Sequence, residues 1–272
     1  MPTPPRSTAT SPSEPRRSGL AEIAGHRLFW QSEGPPEGKP VVLLHHGLGS
    51  LRAWRRQIPA LAAAGWRTLA YDRWGYGRSD ERPAFEPQFL RTDADEAIHL
   101  LDHFGLERVA VVGHSDGGSL GLLLAAEHAQ RVERLVLVAA HIDRESATLD
   151  GLHTLAQDIR RQPLLGRLRR EHGPKADALA RSWVAHWLDP EVADQTLEPL
   201  LGQIRCPTLV VQGERDEHAT PDHARRIARG IAGSELWLIP GVGHMPLQEI
   251  PEAFNDRLLA FLGRPNLERQ DW

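Results

Sequence analysis

Residues 113–117 read GHSDG, and this segment constrains the fold more than any other part of the sequence. It follows the apolar run 109–112 and leads into a helix-prone stretch at 120–126. A G-x-S-x-G segment between a buried strand and a helix is typical of a nucleophile elbow, a sharp turn that holds its serine at strained backbone angles. The two glycines let strand and helix approach closely. The pattern therefore predicts that Ser115 is a nucleophile.

Short apolar runs recur along the chain, and most lack the alternation of a half-exposed strand. Such runs favour parallel strands that are covered on both faces. Segments with helical spacing lie between them at 54–64, 91–104 and 118–128, and a last helix is indicated by Pro251 at its start and Gly263 after its end. We therefore expect an α/β fold with a doubly wound, mostly parallel sheet. The predicted strands are 41–44, 68–71, 109–112, 135–138, 209–211 and 236–239.

One long segment interrupts this alternation. Residues 142–203 contain helical stretches and no strand-like run, which predicts a helical cap inserted between two core segments, 19–141 and 204–272. Residues 1–18 hold five prolines among serines, threonines and arginines, with almost nothing apolar to bury. We expect a disordered tail there, and an organellar transit peptide is the alternative for this composition.

The composition narrows the class of protein. The net charge of −4 gives no reason to expect binding to nucleic acid or to an anionic membrane. The single cysteine, Cys206, excludes an internal disulfide and favours a reducing compartment. No apolar run approaches the roughly 20 residues of a membrane span, and the N-terminus lacks the apolar core of a signal peptide. We therefore expect a cytoplasmic enzyme, and the sequence does not indicate its oligomeric state.

Two later loops offer the partners that an elbow serine needs. Asp216 follows the fifth predicted strand, and His244 lies in a glycine-rich loop after the sixth. Parallel strands end at the same edge of a sheet, so both residues should lie near Ser115, in the chain order serine, acid, histidine. We predict these three as a catalytic triad. Glu214 and Glu217 are alternative acids. In the non-catalytic interpretations, Asp216 only caps a turn and His244 is only a surface residue of its loop.

The first predicted strand ends in HHGLG at 45–49. Preorganised backbone N–H groups can lower the barrier to a tetrahedral intermediate by about 3–4 kcal/mol each. We predict the amides of Leu48 and Asp116 as the donors of an oxyanion hole. The neighbours His45 and His46 suggest a metal pair at first, but consecutive side chains of a strand point to opposite faces. We therefore expect no metal and no cofactor.

With these motifs, the chain resembles an α/β-hydrolase of the short helical-cap group, which includes carboxylesterases, enol-lactonases and C–C bond hydrolases. The resemblance covers about residues 22–265. Besides the elbow, the matching segments are 46–49, 71–79, 213–216 and 243–244. The turn at 72–79 is similar to the family's D-x-x-G-x-G-x-S loop, which is structural. Epoxide hydrolases and haloalkane dehalogenases of this fold use an aspartate nucleophile, so Ser115 argues against both.

The resemblance implies a cofactor-free serine hydrolase that cleaves a small carboxylic ester or lactone through an acyl-serine intermediate. C–C bond hydrolysis, thioester hydrolysis and perhydrolysis use the same triad and remain alternatives. A small-molecule receptor on a hydrolase fold is the alternative from another class, since a fold alone does not define a function.

The sequence gives conflicting indications of substrate charge. An acid directly after the nucleophile, Asp116, resembles hydrolases of amino-acid esters, in which it meets an ammonium group; the alternative is an interaction with the helix N-terminus. The cap instead carries six basic residues within sixteen positions, which either receive an anionic substrate or form a solvated helix face. They are Arg160, Arg161, Arg167, Arg169, Arg170 and Lys175.

Four further side chains are candidates for the substrate pocket. Trp183 and Trp187 lie four residues apart on one helical face, where they either cover the pocket or anchor the cap. His46 belongs to the predicted oxyanion loop, and His141 lies where the fourth strand meets the cap.

Overall fold

The computed structural model describes residues 16–159, 161–192 and 195–265. Eight strands form one sheet: β1 (Arg17–Ile23), β2 (His26–Glu33), β3 (Lys39–Leu44), β4 (Trp66–Tyr71), β5 (Val109–His114), β6 (Val132–Val138), β7 (Thr208–Gly213) and β8 (Glu235–Ile239). Their order in the sheet is β1-β2-β4-β3-β5-β6-β7-β8. β1 pairs with β2, and β2 with β4, in antiparallel fashion, and the remaining pairs are parallel. The predicted α/β class with a mostly parallel sheet is confirmed.

Nine α-helices lie within the described ranges: α1 (Gln57–Ala63), α2 (Phe89–His103), α3 (Asp116–Glu127), α4 (Ser146–Asp158), α5 (Gln162–His172), α6 (Ala176–Leu188), α7 (Pro221–Gly230), α8 (Pro246–Glu249) and α9 (Pro251–Leu262). Helices α2, α3 and α7 cover one face of the sheet, and α1 and α9 cover the other. Successive residues of β3 point to opposite faces. Val42 and Leu44 lie on the face covered by α2, α3 and α7, and Val41 and Leu43 lie on the face covered by α1 and α9. No helix in this part of the chain is long and apolar enough to cross a membrane.

The β1–β2 hairpin was not predicted from the sequence. Its turn, Ala24-Gly25, has positive φ at both residues, 50° and 86°, which suits a two-residue hairpin turn. β1 is the edge strand of the sheet, and its residues alternate near the turn: Leu20 and Glu22 are exposed, whereas Ala21 and Ile23 are buried. β1 begins at Arg17, so the last two residues of the segment 1–18 belong to a strand. Residues 1–15 of that segment lie outside the described residues, as do 266–272 of the predicted second core segment.

Helices α4, α5 and α6 lie between β6 and β7, and the described residues of that interval contain no strand. They pack on the core through a separate apolar cluster. In it, Leu168 of α5 and Trp183 of α6 join Leu48, Tyr76 and Phe89 of the core. These helices therefore cover the edge of the sheet where the parallel strands end. The limits of the cap at 142 and 203 stay a prediction.

Candidate active site

Ser115 lies between the last residue of β5 and the first residue of α3, at φ 53° and ψ −120°. Positions 113 and 117 of this turn have room only for glycine. A Cβ on Gly113 would lie 2.0 Å from the carbonyl oxygen of Gly117, and one on Gly117 would lie 2.2 Å from the carbonyl oxygen of Leu44. Close backbone approach on both sides thus holds the serine at the tip of a sharp turn. This is the strand–turn–helix geometry that the GHSDG segment predicts.

His244 and Asp216 meet at the same edge of the sheet. The imidazole Nδ1 of His244 donates a hydrogen bond to Asp216 Oδ2 across 2.8 Å. The ring of His244 and the side chain of Ser115 line one cavity. Within the described residues, Ser115 Oγ has no hydrogen bond to His244 Nε2. Ser115 and His244 therefore meet in one cavity, and Asp216 does not line it but contacts His244 through Nδ1 of the imidazole.

The carboxylate of Asp216 is fixed by further donors. Its Oδ1 accepts the backbone N–H of His218 at 2.7 Å and that of Ala219 at 3.2 Å, and its Oδ2 also accepts Gln212 Nε2 at 2.6 Å. Of the alternative acids, Glu214 is exposed and Glu217 lines the cavity, but neither is hydrogen bonded to His244. Asp216 is therefore the acid that the fold presents to His244.

Burial changes the proton affinity of both groups. It lowers the pKa of His244 well below 6.5, with smaller contributions from the nearby His218 and His46. It raises the pKa of Asp216 above 3.8, opposed by the His218 amide, by His141 and by Gln212. A neutral imidazole at pH 7 can accept a proton, which is the state that a general base requires.

The loop after β3 contains a strained residue, Leu48, at φ 56°. The N–H groups of Leu48 and Asp116 have no hydrogen-bond acceptor among the described residues, so both donors are free to bind a ligand. Gly47 lets this loop pass beneath the cap: its Cβ would lie 2.4 Å from the Trp183 ring and 2.8 Å from Asp116 Oδ2. A larger residue at position 47 would force the loop and α6 apart.

Two histidines hold this loop through the backbone. His45 is fully buried; its Nδ1 donates to the His46 carbonyl at 2.8 Å, and its Nε2 accepts the Arg73 N–H at 3.1 Å. His172, at the end of α5, donates from Nε2 to the Leu48 carbonyl at 2.9 Å and accepts the Gly77 N–H at Nδ1, also at 2.9 Å. The roles of Arg73 and His172 could not be predicted from the sequence, because nothing in their local pattern marks these distant contacts.

All four predicted pocket residues, His46, His141, Trp183 and Trp187, line the cavity with Ser115 and His244. Its volume is about 260 Å³. Four leucines of α4 and α5 form an apolar part of its lining: Leu152, Leu155, Leu164 and Leu168. Burial lowers the pKa of His46 to about 4 and that of His141 to about 3. The cavity therefore joins neutral imidazoles to an apolar surface and suits a small, partly apolar molecule.

The side chain of Asp116 has partners that the sequence did not indicate. Its Oδ2 accepts Trp183 Nε1 at 2.7 Å and lies 3.7 Å from Nη2 of the buried Arg73. Arg73 also pairs with Asp93 at 2.9 Å. Burial raises the pKa of Asp116, and Arg73 opposes this change. The carboxylate thus ties the elbow helix to the cap tryptophan, and a buried cation already opposes its charge.

The six basic cap residues do not act as one group. Arg161 pairs with Asp158, and Arg169 pairs with Asp177. Lys175 Nζ donates to the carbonyl oxygens of Tyr76 and Ser79. The remaining members are Arg167 and Arg170, which line a groove beside the cavity, and Arg160, which lies outside the described residues.

The histidine pair at 45 and 46 divides between two environments. His45 packs against Tyr76, whereas His46 lines the cavity and lies 5.0 Å from His114, ring centre to ring centre. The described ranges hold no group of three or more His, Cys, Asp or Glu residues arranged to bind a metal ion.

Comparison with known proteins agrees with this architecture. The family model for the alpha/beta hydrolase fold matches residues 39–171. The sequence is 32% identical over 255 residues to "Putative carbamate hydrolase RutD" of Caulobacter sp. (strain K31), covering 84% of this chain and 92% of that one. It is 28% identical to a 2-hydroxy-6-oxononadienedioate/2-hydroxy-6-oxononatrienedioate hydrolase of Escherichia coli, covering 90% of this chain and 94% of that one.

Solved structures of similar fold include the enol-lactonase from Burkholderia xenovorans LB400. It superimposes with a TM-score of 0.74 at 25% identity, covering 90% of this chain and all of that one. A hydrolase from Pseudomonas aeruginosa PA01 gives a TM-score of 0.75 at 28% identity, covering 91% and 98%. Sequence and structure thus agree over nearly the whole length of these relatives, and the chain belongs to the α/β-hydrolase family.

Proposed function

We propose that this protein is a serine hydrolase that cleaves small carboxylic esters or lactones through an acyl-serine intermediate. The observation that carries the proposal is the elbow serine in one cavity with His244, whose Nδ1 is hydrogen bonded to the buried carboxylate of Asp216. Geometry of this kind allows a serine to be activated at neutral pH.

In the proposed reaction, His244 Nε2 removes the proton of Ser115 Oγ as the oxygen attacks the carbonyl carbon of the substrate. The charge that develops on the carbonyl oxygen accepts hydrogen bonds from the free N–H groups of Leu48 and Asp116. His244 then returns the proton to the leaving alkoxide, and an acyl-serine forms. Water, activated by the same imidazole, releases the carboxylic acid. Asp216 stabilises the imidazolium in both steps.

C–C bond hydrolysis is the second candidate. It is favoured by the similarity to the dienedioate/trienedioate hydrolase, since the same triad would act on a ketonic carbonyl. The two candidates differ in the bond that breaks and share every residue assigned above.

Hydrolysis of 4-nitrophenyl acetate and butyrate by the purified protein tests the proposal. We expect turnover in the wild type and its loss in Ser115→Ala. A vinylogous 1,5-diketone substrate measures C–C cleavage in the same preparations. Turnover of the diketone alone would favour the second candidate, and binding of either compound without turnover would indicate a receptor.

A further inference from the structure

A surface groove adjoins the active-site cavity between the core and the cap. On one side lies the turn Leu51–Trp54, which follows the oxyanion loop, and on the other lies α5. The groove has a volume of about 690 Å³. It shares five lining residues with the cavity, so a molecule bound at Ser115 can extend into it: His46, Leu48, Leu164, Leu168 and Met245.

Positive charge is concentrated in this groove. Four guanidinium groups line it, two from the core and two from the cap: Arg52, Arg55, Arg167 and Arg170. The opposing carboxylate on its wall is Glu171, which accepts a hydrogen bond from Ser50 Oγ and lies 3.9 Å from Arg52 Nε. The whole chain has a net charge of −4, so this local excess does not follow from a basic composition.

The pairing of these arginines determines whether they can bind a ligand. Some other arginines of the surface contact a carboxylate: Arg27 pairs with Asp80 at 2.9 Å, and Arg257 pairs with Glu235 at 2.6 Å. In the described part of the chain, no carboxylate lies within 4.0 Å of the guanidinium nitrogens of Arg55, Arg167 or Arg170. Guanidinium groups in this state are available for bidentate hydrogen bonds to carboxylate or phosphate oxygens.

From this arrangement we infer that the groove binds an anionic group of the substrate, either a carboxylate or a phosphate. In the substrate, this group is separated from the scissile carbonyl by several bonds. The inference rests on the proposed hydrolase function and defines its substrate class: esters or lactones with a remote negative charge. The apolar part of the cavity lining would hold the chain between the reacting carbonyl and that charge.

Two series of esters test this inference. One places a carboxylate or a phosphate at the far end of the acyl chain, and the other places it on the alcohol; each is matched by a neutral carboxamide of the same length. We expect the wild type to prefer the anionic member of at least one series by about tenfold in kcat/KM. The larger rate within that series identifies the carboxylate or the phosphate as the better ligand.

The double variant Arg167→Gln/Arg170→Gln should reduce this anionic-to-neutral ratio to below threefold, as should 0.5 M NaCl acting on the wild type. Arg169→Gln is the matched control, because Arg169 lies on the same helix but pairs with Asp177 at 2.8 Å. It should keep both the ratio and the neutral-ester rate. Any one of three results would overturn the inference. They are a wild-type ratio below threefold in both series, an unchanged ratio in the double variant, and a decrease of the ratio in Arg169→Gln equal to that in the double variant. Absence of hydrolysis of every ester, neutral ones included, would instead contradict the proposed function.

Discussion

The imidazole of His172 donates a hydrogen bond from Nε2 to the carbonyl oxygen of Leu48, 2.9 Å away. Its Nδ1 accepts the Gly77 N–H, so the ring proton lies on Nε2 and the tautomer is fixed by two backbone groups. Burial lowers the pKa of His172, which keeps the ring neutral at pH 7. A residue of the cap thus holds the strained residue whose amide is proposed to bind the oxyanion.

His172→Ala should therefore lower kcat by about tenfold or more and leave KM nearly unchanged, because the Leu48 amide would lose its fixed direction. Steady-state kinetics on a 4-nitrophenyl ester measure the two constants separately. His172→Gln, which retains a donor for Leu48, should recover part of kcat, and the exposed His153 of α4 provides a control as His153→Ala. An increase in KM alone would show that His172 supports the pocket rather than the oxyanion hole.

Activity should depend on pH through His244. The base must be neutral, and burial lowers its pKa below 6.5, so kcat/KM should be at its plateau at pH 6.5 and fall only as the pH drops further. A pH–rate profile of kcat/KM, with activity re-measured at pH 7 after each exposure, gives the midpoint. An acid limb centred above pH 7 would contradict this assignment.

Asp216→Asn should lower kcat by about 10⁴, as the loss of the triad carboxylate does in known serine hydrolases. The carboxamide cannot stabilise the imidazolium, and its NH₂ can favour the wrong tautomer of His244. Glu214→Gln, two residues earlier and exposed, is the matched control and should keep the wild-type rate. Should the two substitutions have equal effects, Asp216 would not be the triad acid.

Asp116→Asn should act on stability more than on charge selectivity. Asparagine can still accept the Trp183 hydrogen bond, but Arg73 would lose one of its two buried carboxylate partners. We expect the free energy of unfolding to fall by about 1–3 kcal/mol in a denaturant titration. The exposed Asp222→Asn, which removes a surface pair with Arg225, should change it by less than about 1 kcal/mol.

The same contacts bear on the resemblance to hydrolases of amino-acid esters. Because Arg73 already opposes the charge of Asp116, the wild type should hydrolyse an aminoacyl ester and its des-amino analogue at rates within about threefold. A strong aminoacyl preference that disappears in Asp116→Asn would show that the carboxylate binds an ammonium group in spite of Arg73.

The sequence predicted the central architecture because local patterns determine it. Unbroken apolar runs mark β3 to β8, and the shared edge of parallel strands brings the loops of Ser115, Asp216 and His244 together without knowledge of any contact. The β1–β2 hairpin escaped prediction since its strands are covered on one side and their apolar residues are few.

Contacts between distant segments could not be predicted from the sequence. His172 lies 95 positions beyond Gly77, and only the folded cap brings the two residues together. In the sequence, the basic residues of the cap form one charged segment. In the fold, Arg161 and Arg169 pair with acids, whereas Arg167 and Arg170 line the groove. Such differences depend on which face each helix turns toward the core, which composition does not determine.

The proposed nucleophile can be tested most directly by mass spectrometry after treatment with a fluorophosphonate probe. We expect one adduct per chain, on the peptide that contains Ser115, with loss of esterase activity in proportion to labelling. Ser115→Ala should remain unlabelled and retain the wild-type fold by circular dichroism. An adduct on another residue, or full esterase activity in Ser115→Ala, would contradict the assignment of Ser115 as the nucleophile.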